Sequence, residues 1–226
     1  MKVGFIMTDK PQQICIYCGK KIATEKDHIP PRNLFPKPRP DNLITVPSCS
    51  GCNREYGKDD ERVRNLITSL YDTESHPAII DQIGPKRGRS FQRPEGITNL
   101  RHFLKSLKPV EAYTKGGIYI GDSVAIDMDQ PVMNRFFERM VRGLLYHTNE
   151  IEYFEGVFKW RLTLSPEEIQ SLPDEIKQMI LHGVRGYLGD NIFSYIGVVY
   201  PGKAKSLWFM NFYGGIEFMV HAKENR

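Results

Sequence analysis

No run of apolar residues in this 226-residue chain approaches the roughly 18 that a membrane span needs. The apolar opening 3–7 is cut by Asp9 and Lys10 before a secretory core could form, so an intracellular, cytoplasmic protein with no membrane partner is expected. Internal repeats are absent, and low-complexity sequence is confined to Pro36, Pro38 and Pro40, which implies a stiff extended loop. Neither charge sign dominates: 31 Lys and Arg stand against 27 Asp and Glu, and 40% of the chain is hydrophobic, which excludes a disordered or fibrous protein. Cysteine is scarce, and its four copies form two tight pairs, Cys15-x2-Cys18 and Cys49-x2-Cys52, with none left over. In a reducing compartment such pairs read as metal ligands before disulfides, and four thiolates imply a tetrahedral structural Zn2+ with no open catalytic position.

Charge is laid out unevenly. Residues 1–66 run +4, 67–108 run +3 and 109–226 run −3, so a polyanionic partner is expected on the first half. After Cys52 a helical pattern begins, with Asp59 or Asp60 as N-cap and Val63, Leu66, Ile67 and Leu70 as an apolar stripe. The stretch 84–96 combines Gly, Pro and cations without periodicity and reads as an exposed basic linker or a loop that orders on binding. A short helix should follow, with Leu100, Phe103, Leu104 and Leu107 on one face and the cations Arg101, Lys105 and Lys108 on another. That cationic row reads first as a solvated surface.

From residue 109 the pattern becomes mixed. Two strand-like runs precede a core helix at 131–147, capped by Asp129 or Gln130 with Pro131 at its start. Ser165, Pro166 and Glu168 write a capping box for a second helix, and aromatic and β-branched runs at 192–200, 206–213 and 216–221 suggest an antiparallel meander. The Gly183, Gly186, Gly189 spacing follows a helix and is not a dinucleotide fingerprint. The expected organisation is an α+β chain divided as 1–75, 76–108 and 109–226: a zinc-stapled module, a basic linker with a short helix, and an α+β region.

Thirty residues separate the two cysteine pairs, more than a compact zinc ribbon needs, so chemistry is sought in this insert and its borders. They hold Asp27-His28-Ile29-Pro30-Pro31, then Asn42-Leu43, and Asn53 directly after Cys52. In this order and spacing, residues 15 to about 58 resemble the zinc-stapled branch of the HNH endonuclease family. The resemblance implies a ββα-metal module: two antiparallel strands, with His28 near the end of the first, and a helix starting at the second cysteine pair.

It also implies a metal-dependent endonuclease acting on DNA, leaving 5′-phosphate and 3′-hydroxyl ends. His28 suits the general base, because imidazole titrates near neutral pH. Asn42 would orient His28, and Asp27 with Asn53 would hold one catalytic Mg2+ or Mn2+, with Asp59 or Asp60 in reserve. Asn53 stands where a metal-binding His is common, and prolines replace the usual glycines between His28 and Asn42. Arg32, Lys37, Arg39, Arg54 and Lys58 are candidates for phosphate contacts. The competing expectation is a non-catalytic, zinc-stapled nucleic-acid-binding module with a degenerate HNH site. A nuclease cutting twofold sites would need two centres, which makes a homodimer plausible.

Overall fold

The structure is a computed structural model that describes residues 12–114, 116–148, 150–163 and 166–225. The apolar opening 3–7 and the Ser165 cap lie outside the described residues. An α+β architecture is present. Strands β1 (Glu25–Ile29) and β2 (Ile44–Ser48) pair antiparallel, with Asp27 opposite Val46 and His28 opposite Thr45. Strand β1 stops at Ile29, before Pro30 and Pro31, and a 3-10 turn (Arg32–Leu34) opens the proline-rich loop. Helices α1 (Ser50–Gly57), α2 (Asp60–Ile67) and α3 (Tyr71–Glu74) follow β2.

The apolar stripe expected after Cys52 packs inward through buried Val63, Leu66 and Ile67. Asp59 occupies the N-cap position of α2, yet its side chain makes no capping bond.

Residues 84–96 are not a linker. A π-helical turn (Ile79–Ile83) runs straight into helix α4 (Gly84–Phe91), and a 3-10 turn (Pro94–Gly96) leads to α5 (Ile97–Ser106). The physical reason is tertiary. Buried Ser90 on α4 accepts a 2.9 Å bond from the guanidinium of buried Arg64, and Gly96 lies so close to the Ser90 carbonyl that a Cβ would sit 1.8 Å from it. Gly96 therefore provides a close backbone approach, and sequence alone shows no sign of that. On α5 the cations Arg101 and Lys105 are exposed, as a solvated face requires.

Beyond α5, strands β3 (Leu107–Tyr113) and β4 (Tyr119–Ile126) form a separate two-stranded ribbon. Helix α6 (Gln130–His147) is the central element. The Asp129 carboxylate accepts from the Val132 amide at 3.3 Å, an N-cap bond, and Pro131 lies in the first turn. Strand β5 (Gly156–Leu162), helices α7 (Pro166–Gln170) and α8 (Asp174–Leu181), and strands β6 (Val184–Leu188), β7 (Phe193–Val199), β8 (Lys205–Phe212) and β9 (Ile216–Glu224) complete the chain.

Strands β7 to β9 are the expected meander, extended by β6 on one edge and β5 on the other to the order β5-β9-β8-β7-β6. The glycine spacing is absorbed by this sheet, since a Cβ on Gly186 would lie 2.3 Å from the Tyr195 ring. Phe136 and Phe137 of α6 pack on Phe212 and Phe218 of the sheet, while Gly143 on α6 sits against Ile29 of β1. One continuous apolar core thus runs from Cys15 to Ala222, with α6 joining the cysteine-bearing hairpin to the sheet.

Candidate metal centre and histidine site

The cysteine site is built by two unlike pieces of backbone. In the first, the Cys15 amide donates to Lys21 O (2.8 Å) and the Gly19 amide to Cys15 O (2.9 Å), closing a knuckle in which Gly19 has φ +60°. Glycine meets that left-handed requirement without strain, and a Cβ there would also collide with Tyr153 at 2.9 Å. In the second, Cys49 is the N-cap residue of α1, and Cys52 lies on its first turn. The knuckle is tied to the hairpin by Ile16 N to Pro47 O (3.2 Å) and Thr24 N to Ser48 O (3.1 Å).

These constraints bring the four sulfurs to within 4.8 Å of one another. Tetrahedral zinc with Zn–S bonds of about 2.3 Å asks for sulfurs about 3.8 Å apart, so the set could hold a zinc-type ion. The thiols differ in acidity. Burial opposes ionisation of Cys18, but the backbone amides of Lys21 and Lys20 and bonding to Cys15 and Cys52 outweigh it and lower its pKa to about 7. Cys52 is pushed up by burial and by its crowding against Cys49 and Cys15. A cation among the four removes that conflict. Among the described residues, no other group of three His, Cys, Asp or Glu side chains is placed to hold a metal.

Asp27 and His28 point apart, because β1 stays regular through Ile29 and adjacent side chains alternate. The convergence expected of them on one site is therefore corrected. Asp27 faces the interior and is 3% exposed. Tyr17 donates its hydroxyl to Asp27 Oδ2 at 2.6 Å, and the His28 amide donates to Oδ1 at 2.8 Å. Arg139 of α6, also 3% exposed, forks onto both oxygens of the same carboxylate, with Nε at 2.7 Å from Oδ2 and a second nitrogen on Oδ1. The remaining guanidinium nitrogen reaches Asp60 at 2.5 Å. Burial works against the Arg139 charge, but the bonds to Asp27 and the charge of Asp60 outweigh it and raise its pKa.

Asp59 is held in turn by Arg135 in a two-bond fork at 2.6 and 2.9 Å. Three carboxylates therefore share two arginines, and the shortfall falls on Asp60, which burial lifts to about 6 against the pull of Arg139. Because its folded pKa lies above the ordinary 3.8, Asp60 contributes stability that is complete below about pH 3.8 and is lost as pH rises through about 6. Comparing urea midpoints at pH 5 and pH 7 for the wild type and Asp60→Asn should show this loss in the wild type and a smaller one in the variant. An identical pH dependence in both would exclude the assignment.

His28 occupies the other face of β1, half-buried, across from exposed Thr45. Its ring has no hydrogen-bond partner among the described residues. Burial, then the nearby charge of Arg32, lowers its pKa below the ordinary 6.5; Arg39 and Arg139 add to this and Asp27 opposes it. The ring is therefore neutral at pH 7, the form a general base requires. Arg32 and Arg39 are exposed, and Arg39 Nε donates to Arg32 O at 3.2 Å, which holds the two residues together at the mouth of the proline loop.

The remaining residues singled out in sequence are dispersed. Asn42 donates its amide to Tyr187 O on β6 at 3.1 Å and makes no bond to His28. Asn53 donates to Glu25 Oε2 at 2.5 Å. Lys58 is paired with Glu55 at 2.6 Å on the surface of α1, whereas Arg54 is exposed and has no ion pair among the described residues. Arg139 and Arg135 escaped the sequence reading, and Tyr17, expected to serve packing in the first knuckle, also bonds to Asp27. One signal was available: Arg139 stands between Phe136 and Met140 on a face otherwise apolar, where an arginine needs a buried anion.

The chain has no match among protein-family models, curated proteins or solved structures.

Proposed function

We propose that the chain is a nuclease of the HNH type, with a structural zinc on the four cysteines and His28 as general base. The observation that carries this reading is the placement of a half-buried His28 on a hairpin whose adjoining knuckle and helix bring four cysteine sulfurs within 4.8 Å of one another, with its pKa lowered by burial and by the charges of Arg32 and Arg39. In the proposed reaction His28 takes a proton from water as its oxygen attacks a backbone phosphorus. The bond to the 3′ oxygen breaks, that oxygen regains a proton from solvent, and 5′-phosphate and 3′-hydroxyl ends remain. Arg32 and Arg39 neutralise charge on the non-bridging oxygens.

As arranged, the donors proposed for a catalytic Mg2+ or Mn2+ do not fit one. The Asp27 oxygens are taken by Arg139 and Tyr17, and Asn53, whose amide nitrogen is held by Glu25, offers only one neutral oxygen in place of a carboxylate pair. No step is therefore routed through a second metal, and cleavage assayed with magnesium, with manganese and with neither decides whether one is needed. The same engagement of Asp27 favours a second reading, a zinc-stapled module that binds nucleic acid without cutting it.

Supercoiled plasmid separates the two. The wild type should nick it, and His28→Ala, at equal zinc content, should lose at least about 10²-fold in rate. The acid limb of the wild-type rate should lie below pH 6.5, because the depressed pKa keeps the base neutral to lower pH. Equal silence of both proteins on duplex DNA, single strands and RNA would leave the binding module.

A further inference from the structure

The helix formed by 84–91 places two further cations opposite the proline loop. Between them lies a cleft of about 350 Å³ whose charged lining is Lys37 and Arg39 on one wall, Lys86 and Arg89 on the other, and a single carboxylate, Asp81. Its walls are clamped through the backbone: Gln82 accepts from the Lys37 amide and donates to the Lys37 carbonyl, each at 2.8 Å. The lysine side chain is thereby left free while its backbone is fixed. Among the described residues none of the four cations is in an ion pair, whereas Arg87, on the same helix, turns inward onto Thr68. Like charges held this close repel unless an anion sits between them. In keeping with this, burial, then Arg64, Arg39 and Lys37, holds the Lys86 ammonium below its ordinary pKa. Arg39 belongs both to this cleft and to the surroundings of His28.

We infer that the cleft between the proline loop and α4 is a backbone track that holds one phosphodiester strand of a nucleic acid by Lys37, Lys86 and Arg89 and leads it past Arg39 to His28. The inference rests on the nucleic-acid reading of the His28 site and extends it from Lys37 and Arg39, already phosphate candidates in the sequence, to Lys86 and Arg89. Such contacts fix the position of a strand and carry no base preference.

The test is oligonucleotide binding by full-length protein in a His28→Ala background, so that nothing is cut, measured across a salt series. Each phosphate contact contributes about 0.9 to the slope of log K against log salt for duplex and about 0.7 for single strands. Lys86→Glu combined with Arg89→Glu should weaken binding about tenfold or more at low salt and flatten the slope by at least one contact. Lys37→Ala, whose backbone clamp is untouched, should flatten it by about one contact and guards against a folding defect in the double variant. Lys20→Ala with Lys21→Ala, exposed cations on the zinc knuckle, should change neither.

An unchanged slope in the cleft variants, an equal loss in the knuckle control, or no binding at all would overturn the track. Displacement of the oligonucleotide by inorganic phosphate at constant ionic strength would do the same, by making the cleft a site for a free anion. If the slope flattens as expected while wild-type protein cuts nothing, the track stands and the nuclease reading falls. If the wild type cuts while the slopes of the cleft variants stay unchanged, the nuclease reading stands and the track falls.

Discussion

If the four sulfurs hold zinc as proposed, Cys49→Ser is expected to release it and unfold the amino-terminal third of the chain. Cys49 supplies one sulfur of the four and is the N-cap residue of α1, so its loss removes the joint between the hairpin and that helix. What remains there is a two-stranded hairpin and short helices, and a hairpin of this kind is marginal by itself in water. Structural zinc contributes about 10–16 kcal/mol to folding in small modules, more than the whole stability of most domains. The hairpin is fastened to α6 through Ile29 against Gly143 and through Arg139 on Asp27, so the damage should spread to the core. Metal analysis should fall from one zinc per chain to none, with early loss of protection at β1, β2 and α1 in hydrogen exchange. A variant that keeps its zinc and melts within about 2 °C of the wild type would overturn the metal assignment.

Arg139→Met should cost about 3–5 kcal/mol, because it leaves Asp27 buried with its charge opposed only by hydrogen bonds from Tyr17 and the His28 amide. Asp60 loses its partner in the same step. The double variant Asp27→Leu/Arg139→Met should recover most of the loss, since an apolar pair of similar volume removes both desolvation penalties at once. Urea denaturation of the two single variants and the double variant gives the coupling directly. A loss below about 1 kcal/mol for Arg139→Met would mean that water reaches Asp27.

The same variants bear on chemistry. If Asp27→Asn lowers stability and leaves any plasmid nicking intact, the carboxylate is an anchor for α6. If nicking disappears while the melting temperature holds, Asp27 acts at the reacting centre and Arg139 gives way to a metal there.

The local features were legible because each is written within a few residues. The C-x2-C pairs, the Asp129 cap, the apolar period of α6 and the aromatic runs of the meander each follow from short-range geometry. The two antiparallel strands and the helix starting at the second cysteine pair were implied by the family resemblance, and β1, β2 and α1 occupy those places. The stretch 84–96 misled for the opposite reason. Its helix depends on Ser90 meeting Arg64, and on Gly96 fitting under the Ser90 carbonyl, contacts invisible to a local window.

By itself the sequence determined the α+β class and the four-cysteine set, because ligand spacing, caps and hydrophobic period act over one or two turns; the place of His28 near a strand end was an expectation carried by the family resemblance. Only the tertiary structure decided what Asp27 does. Its partner Arg139 lies 112 residues away on α6, and that pairing depends on the helix being laid across the hairpin by a shared apolar core. Once Asp27 turns inward to that arginine, the alternation of a regular strand leaves His28 on the opposite face, beside Arg32 and Arg39.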